Sequence, residues 1–185
     1  MLAFMRHGET DWNRAQRLQG RSEIPLNNTG RAQAVEAAQA LKGSEPAWDL
    51  VVTSPLGRAR ETGQIVAREL GVELGPTYYD LVERSFGPNE GRSFAGVSAQ
   101  EQRKLREVAE PKEEVLHRSL RALRQIQQQF PDRNVLMVSH GALIRLTMSH
   151  LHGTKTERVA NVEVVLVDDH LLAAVPPVHQ PTTND

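Results

Sequence analysis

Short apolar runs that stop abruptly at polar residues predict three buried strands. Residues 2–5 form the first run and end at a polar turn, residues 50–53 form the second, and residues 134–139 form the third. Runs of this length that are bounded by turn-forming residues are typical of strands buried on both faces. The predicted strands are therefore spread over most of the chain.

Between these runs, apolar residues recur at the spacing of a helix. Ala32, Val35, Ala38 and Leu41 give the clearest case. Ser54-Pro55 has the form of a helix N-cap followed by proline at the first helical position. We predict helices from residue 28 to Gly43, from Ser54-Pro55 to Gly71, over residues 97–108, over residues 113–130, and from Gly141 toward His152.

Two parts of the chain have a less regular pattern. We predict a short strand near Tyr78-Tyr79, followed by a glycine-bearing loop. Near the end, residues 162–167 and 171–175 flank Asp168-Asp169-His170, and this arrangement predicts a hairpin. The polar, proline-containing residues 176–185 are expected to form a flexible tail.

Strands that alternate with helices predict an α/β fold. We expect a three-layer sandwich, with a mostly parallel mixed sheet and helices on both faces, in a single domain over residues 1–175. Ligands of such sheets bind beyond the carboxyl ends of the strands. Arg6-His7, Ser54 and Ser139-His140 stand at three of these ends, so we expect them to meet at one edge.

Composition narrows the classes of function. Among 185 residues, 22 Lys and Arg balance 23 Asp and Glu, and this near-neutrality argues against a dedicated nucleic-acid or anionic-membrane binder. The absence of cysteine excludes disulfides, thiolate metal sites and cysteine nucleophiles. No apolar stretch approaches the roughly 18 residues of a spanning helix. The first apolar run is too short for a signal peptide, so we expect a cytoplasmic protein.

Arginine and histidine at the expected sheet edge suit a phosphate group. A guanidinium keeps its charge and offers a planar fork of donors to two phosphate oxygens, which fits Arg6 and Arg58. A neutral imidazole whose other nitrogen donates to a main-chain carbonyl can attack phosphorus, which would make His7 the nucleophile of a phosphohistidine intermediate. His140 would donate to the same oxygens, at the start of a helix whose amides favour an anion.

Phosphoryl transfer also needs an acid, because the leaving oxygen must be protonated. Glu83 is the candidate. Glu9 and Glu61 are its competitors, since both follow a predicted strand end. Either of them could instead cap a helix or pair with a local partner.

Four motifs stand out in the chain: RHGET at residues 6–10, SPLGRARET at 54–62, ERSFG at 83–87 with EG at 90–91, and VSHG at 138–141. In this order they resemble the histidine phosphatase superfamily, in its phosphoglycerate mutase-like branch, over residues 2 to about 150. The first motif continues in the same pattern through Trp12-Asn13, Gln19-Gly20 and Pro25-Leu26. The resemblance implies a phosphoglycerate mutase-like fold.

The resemblance also implies roles for individual residues. His7 is expected to become phosphorylated, Glu83 to act as the acid and base, and three residues to hold the phosphoryl group: Arg6, Arg58 and His140. Four further residues are expected to contact phosphate or substrate: Asn13, Gln19, Gly20 and Gly141. No metal ion and no cofactor is implied.

Departures from the family pattern favour a metal-independent phosphomonoesterase over a 2,3-bisphosphoglycerate-dependent phosphoglycerate mutase. Such mutases usually carry an insertion between the third and fourth motifs, and the 56 residues that separate Glu83 from His140 are too few for it. Ala142 also stands where these mutases usually have asparagine, although ERSFG is close to their third motif. A non-catalytic phosphate-binding relative is a third alternative. The presence of all five expected catalytic residues argues against it.

The expected substrate is a small phosphorylated metabolite whose identity the sequence leaves open. Arg84, Arg92 and Arg103 hint at an anionic leaving group. We expect neither nucleic acid nor a membrane as partner. The oligomeric state stays open, with a homodimer as one option.

Overall fold

The computed structural model describes residues 1–175, which contain a five-stranded sheet. The strands are β1 (Leu2–Arg6), β2 (Leu50–Thr53), β3 (Glu73–Thr77), β4 (Val135–Ser139) and β5 (Val164–Val167), and their order is β3-β2-β4-β1-β5. The first four strands run parallel to one another, whereas β5 pairs antiparallel with β1. The predicted mostly parallel mixed sheet is confirmed.

Helices connect the parallel strands, as their right-handed crossovers require. The helices are α1 (Asp11–Arg14), α2 (Asn28–Leu41), α3 (Gly57–Leu70), α4 (Ala99–Leu105), α5 (Lys112–Gln129), α6 (Gly141–His152) and α7 (Asp169–Ala174). Tyr79–Leu81 and Gly87–Asn89 form single 3₁₀ turns. The predicted helices correspond to α2 through α6 with shifted ends, whereas the short helices α1 and α7 were not predicted.

The three layers follow from the alternation of side chains along the strands. Leu2 and Phe4 of β1 point into a core shared with α5, α6 and α7. Ala3 and Met5 point to the opposite face and pack in a second core with α2 and α3. Because both faces of the central strands are buried, their sequences are continuously apolar rather than alternating.

The predicted N-cap at Ser54-Pro55 is wrong. Helix α3 begins at Gly57, and the preceding Leu56 provides no side-chain cap. The Ser54 hydroxyl instead lies 2.7 Å from Nε2 of His140. The predicted end of this helix at Gly71 is confirmed, since Gly71 adopts the left-handed conformation with φ of 73°.

The strand predicted near Tyr78-Tyr79 is also wrong. The strand β3 ends at Thr77, and Tyr79–Leu81 forms a 3₁₀ turn. Gly75 and Pro76 concealed β3 in the sequence because both residues weaken a strand pattern. An edge strand tolerates them, since one side of its main chain has no ladder to complete.

The predicted hairpin after residue 162 is replaced by a strand and a helix. β5 ends at Val167, and Asp168 caps α7 by accepting hydrogen bonds from the amides of His170 at 2.8 Å and Leu171 at 3.2 Å. Aspartate is common both at helix N-caps and in turns, because in both its short carboxylate side chain accepts hydrogen bonds from nearby main-chain amides. The sequence alone therefore does not distinguish the two.

Two expectations about organisation stay predictions. The tail at residues 176–185 lies outside the described residues. The assignment of residues 1–175 to a single domain has no independent test. Over the part of the chain that the structure describes, none of the helices has the length and apolar character needed to cross a bilayer.

Candidate active site

Three strand ends bring the reactive residues together at one edge of the sheet. Arg6 ends β1 and His7 follows it, Ser54 follows β2, and His140 follows β4. β4 lies between β1 and β2, so these residues become neighbours although the sequence separates them widely. The His7 and His140 rings lie with their centroids 5.2 Å apart.

The hydrogen bonds of His7 define its reactive nitrogen. Nδ1 lies 2.7 Å from the carbonyl oxygen of Gly8, and because a carbonyl can only accept, Nδ1 carries the proton. Nε2 is then left with a lone pair, toward which Nε of Arg58 donates at 3.3 Å. The Gly8 amide donates to Oγ1 of Thr62, which fixes the turn that holds the ring.

Burial keeps both histidines neutral. The pKa of His7 lies well below its usual value of 6.5 because the ring is buried and because the Arg58 and Arg6 cations lie nearby. The pKa of His140 is lowered in the same way, first by burial and then by the charge of Arg58. A neutral imidazole at Nε2 of His7 is the form that a nucleophile requires.

His140 presents an unused ring nitrogen to the site. Its Nε2 is bonded to Ser54, whereas its Nδ1 is buried and has no hydrogen-bond partner among the described residues. An orphaned polar atom inside a protein is costly unless a ligand or water satisfies it. A signal for Ser54 is present in the sequence, since it is a polar residue at the end of a buried strand, but the helix-cap interpretation obscured it.

Arg58 is fully buried and is held by the main chain. Its Nη2 donates to the carbonyl of Gly20 at 2.7 Å and its Nη1 to that of Ser22 at 2.8 Å. Arg58 thereby links the start of α3 to the loop that follows α1. Its Nε lies 3.3 Å from the reactive nitrogen of His7, and no carboxylate within residues 1–175 pairs with its guanidinium.

Arg6 is the second cation near His7. Its Nη1 donates to the carbonyl of Val159 at 2.8 Å, and its Nε is buried with no partner among the described residues. Burial, together with the charge of Arg158, lowers the pKa of Arg6 to about 10. The side chain stays a cation at neutral pH and keeps an unused donor for an anion.

Glu83 receives three main-chain hydrogen bonds. Its carboxylate oxygens accept from the amides of Arg84 at 2.9 Å, Ala142 at 3.1 Å and Leu143 at 3.1 Å. The last two amides belong to the first turn of α6, where the unpaired N–H groups of a helix favour a carboxylate. Glu83 is therefore held in place by the main chain, and it lines the same cavity as His7.

A buried arginine that the sequence analysis missed supports the segment before Glu83. Arg118 of α5 donates to the carbonyls of Asp80, Val82 and Glu83 and pairs with Glu110 at 3.0 Å. A signal for it exists, because position 118 falls on the same helical face as apolar, buried positions of α5. A charged residue on a buried face needs partners, and here they are main-chain carbonyls.

The two competing carboxylates have other partners. Glu9 accepts from Arg14 at 2.8 Å and from Asn27 at 2.9 Å. Glu61 pairs with Arg31 at 2.6 Å on the surface. Neither of them lines the cavity that contains His7. Of the three candidates, Glu83 is the one that lines this cavity.

The remaining predicted residues surround the same cavity. They are Asn13, Gln19, Gly20 and Gly141. Oδ1 of Asn13 accepts from the Thr10 hydroxyl at 3.2 Å, and Oε1 of Gln19 accepts from it at 3.0 Å. Both amide groups are therefore oriented by one threonine.

One glycine of this cavity is closely packed, and another is required by its backbone conformation. At Gly141, a Cβ atom would lie 3.2 Å from Nε of Arg6. At Gly20, φ is +53° and a Cβ atom would overlap the Glu90 carboxylate, so a side chain is excluded on both grounds.

The cavity has a volume of about 530 Å³, and His7 is one of its lining residues. Arg84 lines it, as the sequence suggested, whereas Arg92 and Arg103 do not. Arg106 and Arg145 line it instead. Within residues 1–175, no group of three or more His, Asp or Glu side chains has an arrangement suited to a metal ion.

The two buried histidines predict that acid destabilises the fold. In the unfolded chain a histidine takes up a proton below about pH 6.5, whereas His7 and His140 in the native state do not. The unfolded state then binds more protons, so the free energy of unfolding falls by about 1.4 kcal/mol per pH unit for each histidine as the pH drops below 6.5. Urea unfolding between about pH 7 and pH 5 measures this slope.

The variant His7→Gln is the control for this experiment, because it should remove half of the slope and leave that of His140. A stability that stays constant over this pH range would contradict the neutral, buried state of the two rings.

Comparison with known proteins relates this chain to phosphatases and to phosphoglycerate mutase-like proteins. The sequence model described as "Histidine phosphatase superfamily (branch 1)" matches residues 2–171. The chain is 35% identical to the uncharacterized phosphatase PhoE of Bacillus subtilis over 84% of its own length and 79% of the relative's. It is 30% identical to the probable phosphoglycerate mutase GpmB of Photorhabdus laumondii over 89% of its own length and 83% of the relative's.

A solved structure extends the similarity to the fold. The mycobacterial glucosyl-3-phosphoglycerate phosphatase, solved with VO3, superposes with a TM-score of 0.75 at 27% identity. The match covers 88% of this chain and 90% of that protein. The predicted family resemblance and the predicted fold class are confirmed.

Proposed function

The chain belongs to the histidine phosphatase superfamily, and from that membership we propose that it is a metal-independent phosphomonoesterase that acts through a phosphohistidine at His7. One observation carries this proposal. Nε2 of His7 keeps a lone pair on a buried, neutral ring, Nε of Arg58 donates toward it at 3.3 Å, and the Arg6 cation lies nearby. A nucleophile inside a cationic pocket is what transfer of a phosphoryl anion requires.

In the first step, Nε2 of His7 attacks the phosphorus atom and the bond from phosphorus to the ester oxygen breaks. Glu83 in its protonated form gives its proton to the departing oxygen, so an alcohol leaves and a carboxylate remains. The ring of phosphorylated His7 carries an added positive charge, which the carbonyl of Gly8 stabilises through Nδ1–H. The step is balanced, because the proton that the alcohol gains is the one that Glu83 loses.

In the second step, a water molecule attacks the phosphorus atom of phosphohistidine. The Glu83 carboxylate accepts a proton from this water, the bond from phosphorus to Nε2 breaks, and inorganic phosphate forms. His7 returns to its neutral form and Glu83 to its acid form. One carboxyl group thus serves both steps, as acid and then as base.

Arg6, Arg58 and His140 bind the phosphoryl oxygens in this proposal. The unused Nε of Arg6 and the guanidinium of Arg58 neutralise the charge that the transition state spreads over those oxygens. A neutral His140 accepts a hydrogen bond from the Ser54 hydroxyl at Nε2, so its proton is on Nδ1. This Nδ1–H donates to the phosphoryl oxygens. The phosphoryl group would satisfy both orphaned nitrogens. Asn13, Gln19, Gly20 and Gly141 complete the wall around it.

A 2,3-bisphosphoglycerate-dependent mutase is the alternative, and the similarity to GpmB favours it. A mutase returns the phosphoryl group from histidine to a second substrate and must keep water out. Ala142, where such mutases usually have asparagine, and the short segment before VSHG support the phosphatase. A non-catalytic phosphate-binding relative is a weaker alternative, because every group that the two steps need is present.

The test is phosphate release from a generic phosphomonoester in the presence of a chelator, repeated on 3-phosphoglycerate with and without 2,3-bisphosphoglycerate. Release that survives chelation is expected. Interconversion of phosphoglycerates that depends on the bisphosphate, without hydrolysis, would show a mutase instead. No reaction in either assay would favour the non-catalytic alternative.

The same proposal includes a small phosphorylated metabolite as substrate and a cytoplasmic location. The arginine-lined cavity supports the first. The location and the oligomeric state, including a homodimer, stay predictions from the sequence.

A further inference from the structure

A loop that belongs to none of the four motifs is fixed to the end of β1. It covers residues 159–163, directly before β5. The carbonyl of Val159 accepts from Nη1 of Arg6 at 2.8 Å. The Val162 amide donates to the carbonyl of Arg6 at 3.0 Å, and the Arg6 amide donates to the carbonyl of Glu163 at 3.2 Å. The loop is therefore held against the strand end that leads into the first motif.

The side chain of Asn161 extends from this loop to the first motif. Its Nδ2 donates to the main-chain carbonyl of His7 at 2.8 Å and to Oδ1 of Asn13 at 3.3 Å. Asn161 is half-buried and is not one of the residues that line the cavity. Any influence of Asn161 on the reaction therefore passes through His7 or Asn13.

The peptide unit between His7 and Gly8 is held at both of its polar atoms. Asn161 donates to its carbonyl oxygen, and its N–H donates to Oγ1 of Thr62 at 3.1 Å. A peptide group is planar, so these two bonds fix its orientation. The carbonyl of Gly8, which follows in the chain, lies 2.7 Å from Nδ1 of His7 and determines which ring nitrogen carries the proton. Asn161 thus stabilises the turn that holds the proposed nucleophile.

Asn161 also determines which end of the Asn13 amide is left for a ligand. Oδ1 of Asn13 accepts from the Thr10 amide at 3.2 Å and from Nδ2 of Asn161 at 3.3 Å. Both of these groups can only donate, so the atom that they share must be the oxygen. Asn13 lines the cavity, and within residues 1–175 its Nδ2 forms no hydrogen bond with the protein. Its two N–H donors are therefore available to an anion.

The main chain next to Asn161 is strained. Val162 has φ of +56°, in the left-handed region that a β-branched residue rarely adopts. Such conformations persist where the surrounding contacts fix them, and they are most common at functional sites. Here the strained residue directly follows Asn161, and its amide is bonded to the carbonyl of Arg6. The protein keeps this unfavourable conformation together with the contacts that join the loop to the first motif.

We propose that Asn161 is a positioning residue for phosphoryl transfer, which turns the Asn13 amide so that its N–H donors face the phosphoryl oxygens and which holds the main chain of His7. This inference rests on the proposed phosphatase function and adds a residue to its site. Without Asn161, the Asn13 amide can rotate and place its oxygen toward the phosphoryl group, where two acceptors repel each other. Asn161 thus controls the affinity for the phosphoryl anion from outside the cavity.

Inhibition of phosphomonoester hydrolysis by inorganic phosphate measures this affinity. Asn161→Leu keeps the branched shape of the side chain and removes its donor, so we expect the inhibition constant of phosphate to rise about 10-fold. Asn161→Ser should give a similar rise, because serine is too short to reach both acceptors, and it replaces the leucine variant where that variant does not fold. Thermal unfolding of each variant establishes that it is folded.

Asn134→Leu is the matched control for these variants. Nδ2 of Asn134 also donates to a main-chain carbonyl, that of Ala47 at 2.7 Å, and Asn134 is half-buried and does not line the cavity. The control loses the same kind of hydrogen bond at another place in the fold. Its inhibition constant for phosphate should equal that of the native protein.

A double-mutant cycle separates positioning from a general loosening of the loop. In the Asn13→Leu background there is no amide to turn, so adding Asn161→Leu should change the inhibition constant by less than about 2-fold. A loosened loop would instead give the same factor in both backgrounds. The difference between the two factors measures the coupling of Asn161 to Asn13.

Three results would overturn the proposal: an unchanged inhibition constant in a folded Asn161 variant, an equal rise in Asn134→Leu, or the same rise in the Asn13→Leu background as in the native one. Failure of the phosphatase proposal gives a different result, namely no phosphate release from any substrate. Calorimetric titration with inorganic phosphate then decides the role of Asn161. Weaker binding to Asn161→Leu than to the native protein supports it, whereas equal binding, or no binding to the native protein, overturns it.

Discussion

Replacing His7 with alanine is expected to lower kcat/KM for phosphomonoester hydrolysis by about 10⁴-fold or more. The reason is that no other group can take over the attack. His140 is the neighbouring imidazole, but its Nε2 is hydrogen-bonded to Ser54 and in the proposed mechanism its Nδ1 carries the proton, so neither nitrogen has a free lone pair. Phosphate release under saturating and limiting substrate measures the loss.

The intermediate gives a second readout for this variant. Rapid acid-free quenching and mass spectrometry of the native protein should detect one added phosphoryl group on the peptide that contains His7, and His7→Ala should show none. His152→Ala is the control, because His152 is exposed at the end of α6 and does not line the cavity. Full activity in His7→Ala, or a phosphoryl group on another residue, would contradict the assigned nucleophile.

Replacing Glu83 with glutamine is expected to lower kcat by about 10²- to 10⁴-fold on an alkyl phosphate. Glutamine keeps the shape of the side chain but cannot deliver a proton to the leaving oxygen. The effect should be much smaller on p-nitrophenyl phosphate, because its leaving group departs readily without protonation. This dependence on the leaving group separates proton transfer from a merely structural role.

Two controls accompany the glutamine variant. Glu114→Gln makes the same change at an exposed position of α5 and should leave both substrates unaffected. Glu83→Ala tests whether a loss in Glu83→Gln comes from the amide group pushing against the amides of Ala142 and Leu143. Equal losses on both substrates in both Glu83 variants would mean that Glu83 organises α6 and does not move a proton.

The sequence predicted the framework of the fold well, because the central strands and the long helices carry strong local signals. β1, β2 and β4 are buried on both faces, so their continuous apolar runs leave little choice of conformation. The elements that were missed lie at the margins. β3 is exposed and contains glycine and proline, and α7 depends on the cap at Asp168.

The sequence predicted the residues of the candidate site that stand at strand ends or in the four motifs. The topology of the sheet brings His7 and His140 together, and the four motifs contain the other expected catalytic residues. Contacts made across long separations leave no local pattern, so the roles of Ser54 and Arg118 appear only in three dimensions. The same reason explains why Arg106 and Arg145, rather than Arg92 and Arg103, line the cavity.

The bonds of Arg58 to the carbonyls of Gly20 and Ser22 have a consequence for divergence within the family. The main chain is the same whatever side chain a residue carries, so mutation can exchange most side chains of this loop without releasing the arginine. The side chains of this loop can therefore change and admit new metabolites, while Arg58 keeps its position and still binds the transferred phosphoryl group. Gly20 is the exception, since its backbone conformation and its contact with Glu90 leave no room for change.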